Sequence, residues 1–245
     1  MNERPRFGGR LRVLGSETVT PRMLRLTMSV VEAHLPVDTS CPNLVVRLAL
    51  PADRSVTPLG ARPPSRTYTV RHYVPASATL DVDVVLHGDG PFVRWAQGAA
   101  PGDTIDFTGP RPHAVPSFDA DALFMVSDQT GLPALQAVLE AAPAGLRTVA
   151  IVEVADAAEE QPVPTAAELD LHWLHRAGAP PGTTGALERA VRDLDWPDGH
   201  VEVWAAGETG EVRAIRRLAV GERGVPREAL HVFGYWRRGH AGSPS

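Results

Sequence analysis

The sequence predicts two domains of different construction: an antiparallel β-barrel over residues 1–113 and a five-stranded parallel α/β domain over residues 114–245. Three observations carry that expectation. In the first half, short runs alternate apolar and polar residues and are broken by Gly and Pro, as in strands with one buried face. In the second half, continuous apolar runs are followed by helically spaced ones, the pattern of a parallel sheet covered by helices. Between them lies the proline-rich GPRPHAVP, 109–116, a natural boundary.

The barrel strands read in order. RMLRLTMSV places Leu24, Leu26 and Met28 on one face, and NLVVRLAL places Leu44, Val46, Leu48 and Leu50 opposite Arg47. The run Pro51–Pro64 is too polar and proline-rich for a core element and reads as a loop. TLDVDVVLHG turns Leu80, Val82, Val84 and Leu86 inward against Asp81 and Asp83, which read as a solvated face. DTIDFTG follows a Pro-Gly-Asp turn. In the second half, ALFMVS, RTVAIVEV, LHWLHR, VEVWAA and LHVFGYW read as the five buried strands. The first meets the turn DQTG and a helix with Leu132, Leu135, Val138 and Leu139 on one face. ALERAVRDL and the stretch with Val212, Ile215 and Ala219 supply two more helices.

Composition excludes several classes. At 245 residues the chain has room for two small domains, and a net charge of -5 argues against a surface built for nucleic acid. All 24 basic residues are arginine, so no lysine Schiff base is available. A single cysteine, Cys41, rules out an internal disulfide or a four-cysteine iron–sulfur cluster. MNERPRFGGRLRV has no apolar signal region and no run reaches membrane-span length, so the expectation is a cytoplasmic protein; a monomer is expected separately. His172 and His175 lie at an odd offset on a strand and point to opposite faces, unsuited to sharing a metal. The GDG at 88–90 lacks the third glycine of a dinucleotide fingerprint.

Two groups of residues suit ligand binding. In SRTYTVR, strand alternation puts Arg66 and Tyr68 on one face and Thr67 and Thr69 on the other. An edge strand would explain that pattern too. At the carboxyl ends of two apolar strands stand Ser127-Asp128-Gln129-Thr130-Gly131 and Ala206-Gly207-Glu208-Thr209, each opening a helix. Open parallel sheets bind ligands at such ends, and helix N-termini favour anions. Helix capping accounts for Asp128, Thr130 and Glu208 equally well.

The ordered set RTYT, VLHGDGP with Trp95-Ala96, PGD, AGE and GYWRRG resembles the siderophore-interacting proteins, flavin-dependent ferric-siderophore reductases of the ferredoxin–NADP reductase superfamily. The likeness runs from about Arg10 to Gly239. It implies a Greek-key FAD-binding barrel, then an NAD(P)H-binding α/β domain. It implies that Tyr68 stacks on the flavin ring, that Thr69 bonds near its N5 and that Arg66 meets the diphosphate, with Thr67 beside them. Val85, Leu86 and His87 would flank the ring and ribityl chain, Gly90-Pro91 would start a helix under the diphosphate, and Trp95 would shield the cofactor. Asp128, Thr130, Gly207 and Glu208 would meet the nicotinamide nucleotide, NADH or NADPH. An anionic ferric siderophore would meet Arg237, Arg238 and Arg71.

Two departures stand out. Phe92 and Val93 replace a small residue and a serine after Gly-Pro: Phe92 is bulky where a cofactor should approach, and Val93 cannot donate a side-chain hydrogen bond to phosphate. Loss of one hydrogen bond to a charged group is worth about 1.5–3 kcal/mol, roughly ten- to a hundred-fold in FAD affinity. Gln129 stands where the family has an acid. The implied activity is NAD(P)H-dependent reduction of chelated Fe(III) to Fe(II). The alternatives are a flavin reductase or electron-transfer partner of an oxygenase, and a non-catalytic siderophore-binding module that has lost flavin, a reading that Phe92 and Val93 keep open.

Overall fold

The computed structural model describes residues 8–33, 41–49, 65–88 and 90–240. The loop expected at Pro51–Pro64 and the inward Leu50 lie outside them. The chain divides into two compact units, Met1–His113 and Ala114–Ser245.

The first unit is a closed barrel of six antiparallel strands. They are β1 (Gly9–Thr20), β2 (Met23–Ala33), β3 (Leu44–Ala49), β4 (Ser65–Val74), β5 (Thr79–Val85) and β6 (Thr104–Pro112). Their order around the barrel is β1-β2-β5-β4-β3-β6. Because β2 pairs with β5 and not with β3, the connection is a Greek key. Closure leaves no open sheet edge. Leu26, Met28, Val46, Leu48, Val82 and Val84 are among the residues that fill the interior, all fully enclosed. Each such side chain contributes about 1.5–3 kcal/mol relative to an exposed one. A helix, α1 (Pro91–Gly98), follows β5.

The second unit has five parallel strands in the order β11-β10-β7-β8-β9. They are β7 (Ala122–Asp128), β8 (Arg147–Val154), β9 (Glu168–His175), β10 (Val201–Glu208) and β11 (Leu230–Trp236). One face, with Leu123, Met125, Val152 and Trp204, packs on α2 (Leu132–Glu140). The other, with Phe124, Val126, Ile151 and Val203, packs on α3 (Ala186–Asp193) and α4 (Thr209–Gly221). The strand order reverses between β7 and β10, which makes their carboxyl ends the topological switch point. LHWLHR and LHVFGYW, expected among the buried strands, fall on β9 and β11 at the two edges of the sheet, and both strands stay partly exposed because each has a single neighbour.

The expected solvated acid face of β5 also needs correction. Register places Arg25 opposite Asp83 and Thr27 opposite Asp81. The Arg25 Nε and Nη2 groups donate to the two Asp83 oxygens at 2.7 and 2.8 Å, and Asp83 is only 5% exposed. The Thr27 hydroxyl donates to Asp81 at 2.7 Å. These carboxylates tie β2 to β5.

Removing one partner of a buried pair leaves an uncompensated charge. Arg25→Met is therefore expected to lower unfolding free energy by about 3 kcal/mol, measured by urea denaturation at pH 7. A change near zero would mean that water reaches Asp83.

Candidate functional site

In the barrel unit, β4 carries the Arg-Thr-Tyr-Thr stretch. Its register pairs Leu48 with Arg66 and Val46 with Tyr68, so both side chains stand on the face shared by the buried β3 residues. Thr67 is exposed, while Thr69 is enclosed at 7% exposure. Val85 and Leu86 are half-buried, and the Leu86 N–H donates to the Arg22 carbonyl at 2.8 Å. His87, Gly90 and Pro91 are exposed.

Pro91 opens α1 at a position where a proline fits without loss. The helix buries Phe92, Val93 and Ala96, and Phe92 and Ala96 join the barrel core. Phe92 stacks on Tyr68 with ring centroids 4.5 Å apart and planes at 29°, and lies 5.4 Å from the Trp95 ring. The expectation that Phe92 obstructs a cofactor is thus corrected: it is 3% exposed and backs Tyr68 from the core side. Val93, at 7%, is buried with it.

These residues fit FAD. Tyr68 offers a partly exposed aromatic ring held in place by Phe92. Burial pushes its phenol pKa up, opposed by the Arg66 charge beside it, so the hydroxyl stays protonated. Arg66 Nη1 donates to the Ser65 carbonyl at 3.0 Å, one of the five donors on its fork. The N-terminus of α1 has no side-chain cap, and a Cβ on Gly90 would meet nothing within 4 Å. A planar ring and a diphosphate suit such a set. Arg71 does not join it as an exposed cation, because it is buried at 6% exposure.

In the sheet unit, the switch-point ends are densely bonded. Asp128 Oδ1 accepts from the Thr130 N–H and hydroxyl at 2.8 and 2.5 Å. Its Oδ2 accepts from the Glu208 N–H at 2.9 Å and the Trp236 indole N–H at 2.6 Å. Glu208 Oε2 accepts from the Gly210 N–H and from the Glu211 N–H, the latter at 3.0 Å, and so caps α4. Its Oε1 accepts from the Arg238 N–H at 3.1 Å. Of the two helix N-termini expected to attract anions, α4 is closed by its own acid, and α2 has no side-chain cap. Gly131 and Gly207 permit this closeness. A Cβ at Gly131 would lie 2.8 Å from the Ala206 oxygen, and one at Gly207 would lie 2.8 Å from Asp128 Cγ.

Three features were not legible beforehand. Buried Gln129 donates to Glu159 at 2.7 Å, so an acid at 129 would set two carboxylates together in the interior. Glu153, fully buried at the end of β8, accepts from Thr184 and stands 3.8 Å from Arg176. Burial raises its pKa, opposed by the Thr184 hydrogen bond and Arg176. Glu211, in the first turn of α4, has both oxygens buried without a hydrogen-bond partner. The spacing Glu208-x-x-Glu211 resembles a capping box and was the available signal for it. Arg176 gave none. His172 pairs with Asp170 at 3.0 Å and His175 with Glu160 at 2.7 Å, and no metal-binding cluster occurs among the described residues. Nor is any helix among them long and apolar enough to cross a membrane.

Comparison with known proteins matches both halves. Residues 52–114 match the siderophore-interacting FAD-binding domain, and residues 120–239 match the siderophore-interacting protein model. A solved siderophore utilisation protein from T. fusca is 36% identical, with a TM-score of 0.85 over 96% of this chain and 94% of that one. The ferric acinetobactin reductase of Acinetobacter baumannii is 28% identical, over 94% of this chain and 79% of that protein. At 19% identity, an Amycolatopsis cytochrome P450 reductase shares the fold, with a TM-score of 0.65 over 91% of this chain and 68% of that one.

Burial lifts the Glu211 pKa from 4.5 to about 7, helped by the charges of Glu153, Asp128 and Glu208 and opposed by Arg176. Between those values the folded chain holds a proton that the unfolded chain has lost. Stability should therefore fall as pH rises from about 4.5 to about 7 and then level off. Glu211→Gln should remove that fall and raise Tm at pH 8, read by thermal denaturation across pH. An unchanged slope would assign the proton elsewhere.

Proposed function

We infer the activity from one premise: the chain belongs to the siderophore-interacting protein family, and FAD is its cofactor. We propose that it is a cytoplasmic, monomeric NAD(P)H-dependent ferric-siderophore reductase. Two electrons from one nicotinamide reduce two chelated Fe(III) ions to Fe(II), which hard oxygen chelators hold less tightly. Bound FAD supplies the link between a two-electron donor and a one-electron acceptor.

The chain's own residues supply binding and charge. Tyr68, backed by Phe92, holds the ring from one side, with Trp95, Val85, Leu86 and His87 around it and the Thr69 hydroxyl at its polar edge. Arg66, Thr67 and the uncapped start of α1 at Gly90-Pro91 take the diphosphate. In the second domain, half-buried Thr130 after β7 meets the nicotinamide nucleotide with Gly207 alongside, since open parallel sheets take ligands at the switch point. Exposed Arg237 and Arg238, directly after β11, attract an anionic ferric chelate despite the acidic total charge.

The observation that carries this reading is the Tyr68–Phe92 stack beside Arg66, within a segment that matches a siderophore-interacting FAD-binding domain. Burial of Phe92 in the barrel core also removes the bulk on which the flavin-free alternative partly rested, while Val93 offers no side-chain donor. Tyr68→Ala should weaken FAD binding about tenfold or more in a fluorescence titration, as expected for loss of an aromatic contact. Unchanged affinity would remove the stacking role.

A further inference from the structure

The carboxylates at the switch point present an inconsistency for a nicotinamide site. Asp128 is 4% exposed and Glu208 7% exposed, and every carboxylate oxygen of the pair already accepts at least one hydrogen bond from the chain itself. Asp128 has all four of its lone-pair sites taken, and Glu208, nearly enclosed, has three of its four. Their bonds run instead to a third element, the end of β11. Asp128 holds the Trp236 indole, and Glu208 holds the Arg238 backbone. Two further bonds fix the same segment. The Thr209 hydroxyl donates to the Trp236 carbonyl at 2.7 Å, and Arg238 Nη1 donates to the Gly182 carbonyl at 3.2 Å.

We propose that Asp128 and Glu208 are positioning residues that latch the segment Trp236–Arg238, and so set the place of the Arg237–Arg238 pair that meets the anionic ferric chelate. The inference rests on the role given above to that arginine pair. The acids act through backbone and indole N–H groups and touch neither substrate nor nucleotide. Two carboxylates so close to two arginines would neutralise them if they met the guanidinium groups. Here Glu208 bonds the Arg238 main chain, and the guanidinium instead donates to a neutral carbonyl, so its charge is kept. The latch also joins the ends of three strands, because Asp128 ends β7, Glu208 ends β10 and Trp236 ends β11.

An amide in place of either acid keeps the size but removes one accepting oxygen. In Glu208→Gln the amino group faces either the helix N–H groups or the Arg238 N–H, donor against donor. Trp236→Phe is the milder variant, removing only the indole N–H. The test uses the FAD-loaded full chain. Reduction of ferricyanide by NADH or NADPH gives KM for ferricyanide and kcat, equilibrium dialysis of an anionic ferric tricatecholate gives binding, and NAD⁺ binding is measured alongside. Glu208→Gln and Trp236→Phe are expected to weaken the chelate about tenfold, with a shallower salt dependence, a higher KM at similar kcat and little change in NAD⁺ affinity. Unchanged chelate binding in both variants, while Arg237→Ala with Arg238→Ala weakens it, would overturn the latch alone. Unchanged binding in the double arginine variant would overturn the arginine role and the latch together. Loss of NAD⁺ affinity as the main effect of Glu208→Gln would return Glu208 to the nucleotide site.

Discussion

The sheet domain depends on one carboxylate. Asp128 takes donors from its own turn, from the end of β10 and from the end of β11. A buried carboxylate is costly unless it is fully hydrogen-bonded, and this one is. The cost of burying the charge is offset by what the bonds fix: three chain segments brought together at the place where the strand order reverses. The two glycines at 131 and 207 follow from the same constraint, since a side chain at either would displace the strand ends from the acid. Glu208 extends the arrangement by capping α4 and holding Arg238. The start of α4 is thereby already occupied by an acid of the chain itself.

The barrel domain solves a different problem. A closed barrel buries its inner residues, and α1 adds Phe92 and Ala96 to that core. The same insertion fixes Tyr68, because Phe92 lies against its ring. An aromatic platform held by packing loses less freedom on binding than a mobile one. The site is thus partly a product of the core, and the bulky residue after Gly-Pro belongs to the barrel's packing.

Most of the fold was legible because period decides it. Alternation located the barrel strands, and apolar runs with helical spacing located the sheet and its helices. The exceptions are cases where register or position in the sheet decides. Asp81 and Asp83 alternate outward correctly, but only pairing with β2 reveals Thr27 and Arg25 across from them. β9 reads as apolar, yet its edge position leaves it half-exposed. In the sites, residue types were readable and their partners were not. Asp128 and Glu208 were found as conspicuous acids, but bonds to Trp236 and Arg238 span more than a local motif. Phe92 was judged by size, whereas the helical stripe it shares with Ala96 sets its direction. Arg71 was judged by charge, and the strand buries it.

The most direct test of the central claim is a visible absorption spectrum of the purified protein with added FAD, recorded under nitrogen before and after NADH or NADPH. The account predicts bound-flavin bands that bleach on adding the nicotinamide and return when a ferric chelate is supplied, with Fe(II) captured by a ferrous-specific dye. No flavin uptake in the presence of excess FAD, or bound flavin that neither nicotinamide bleaches, would contradict it.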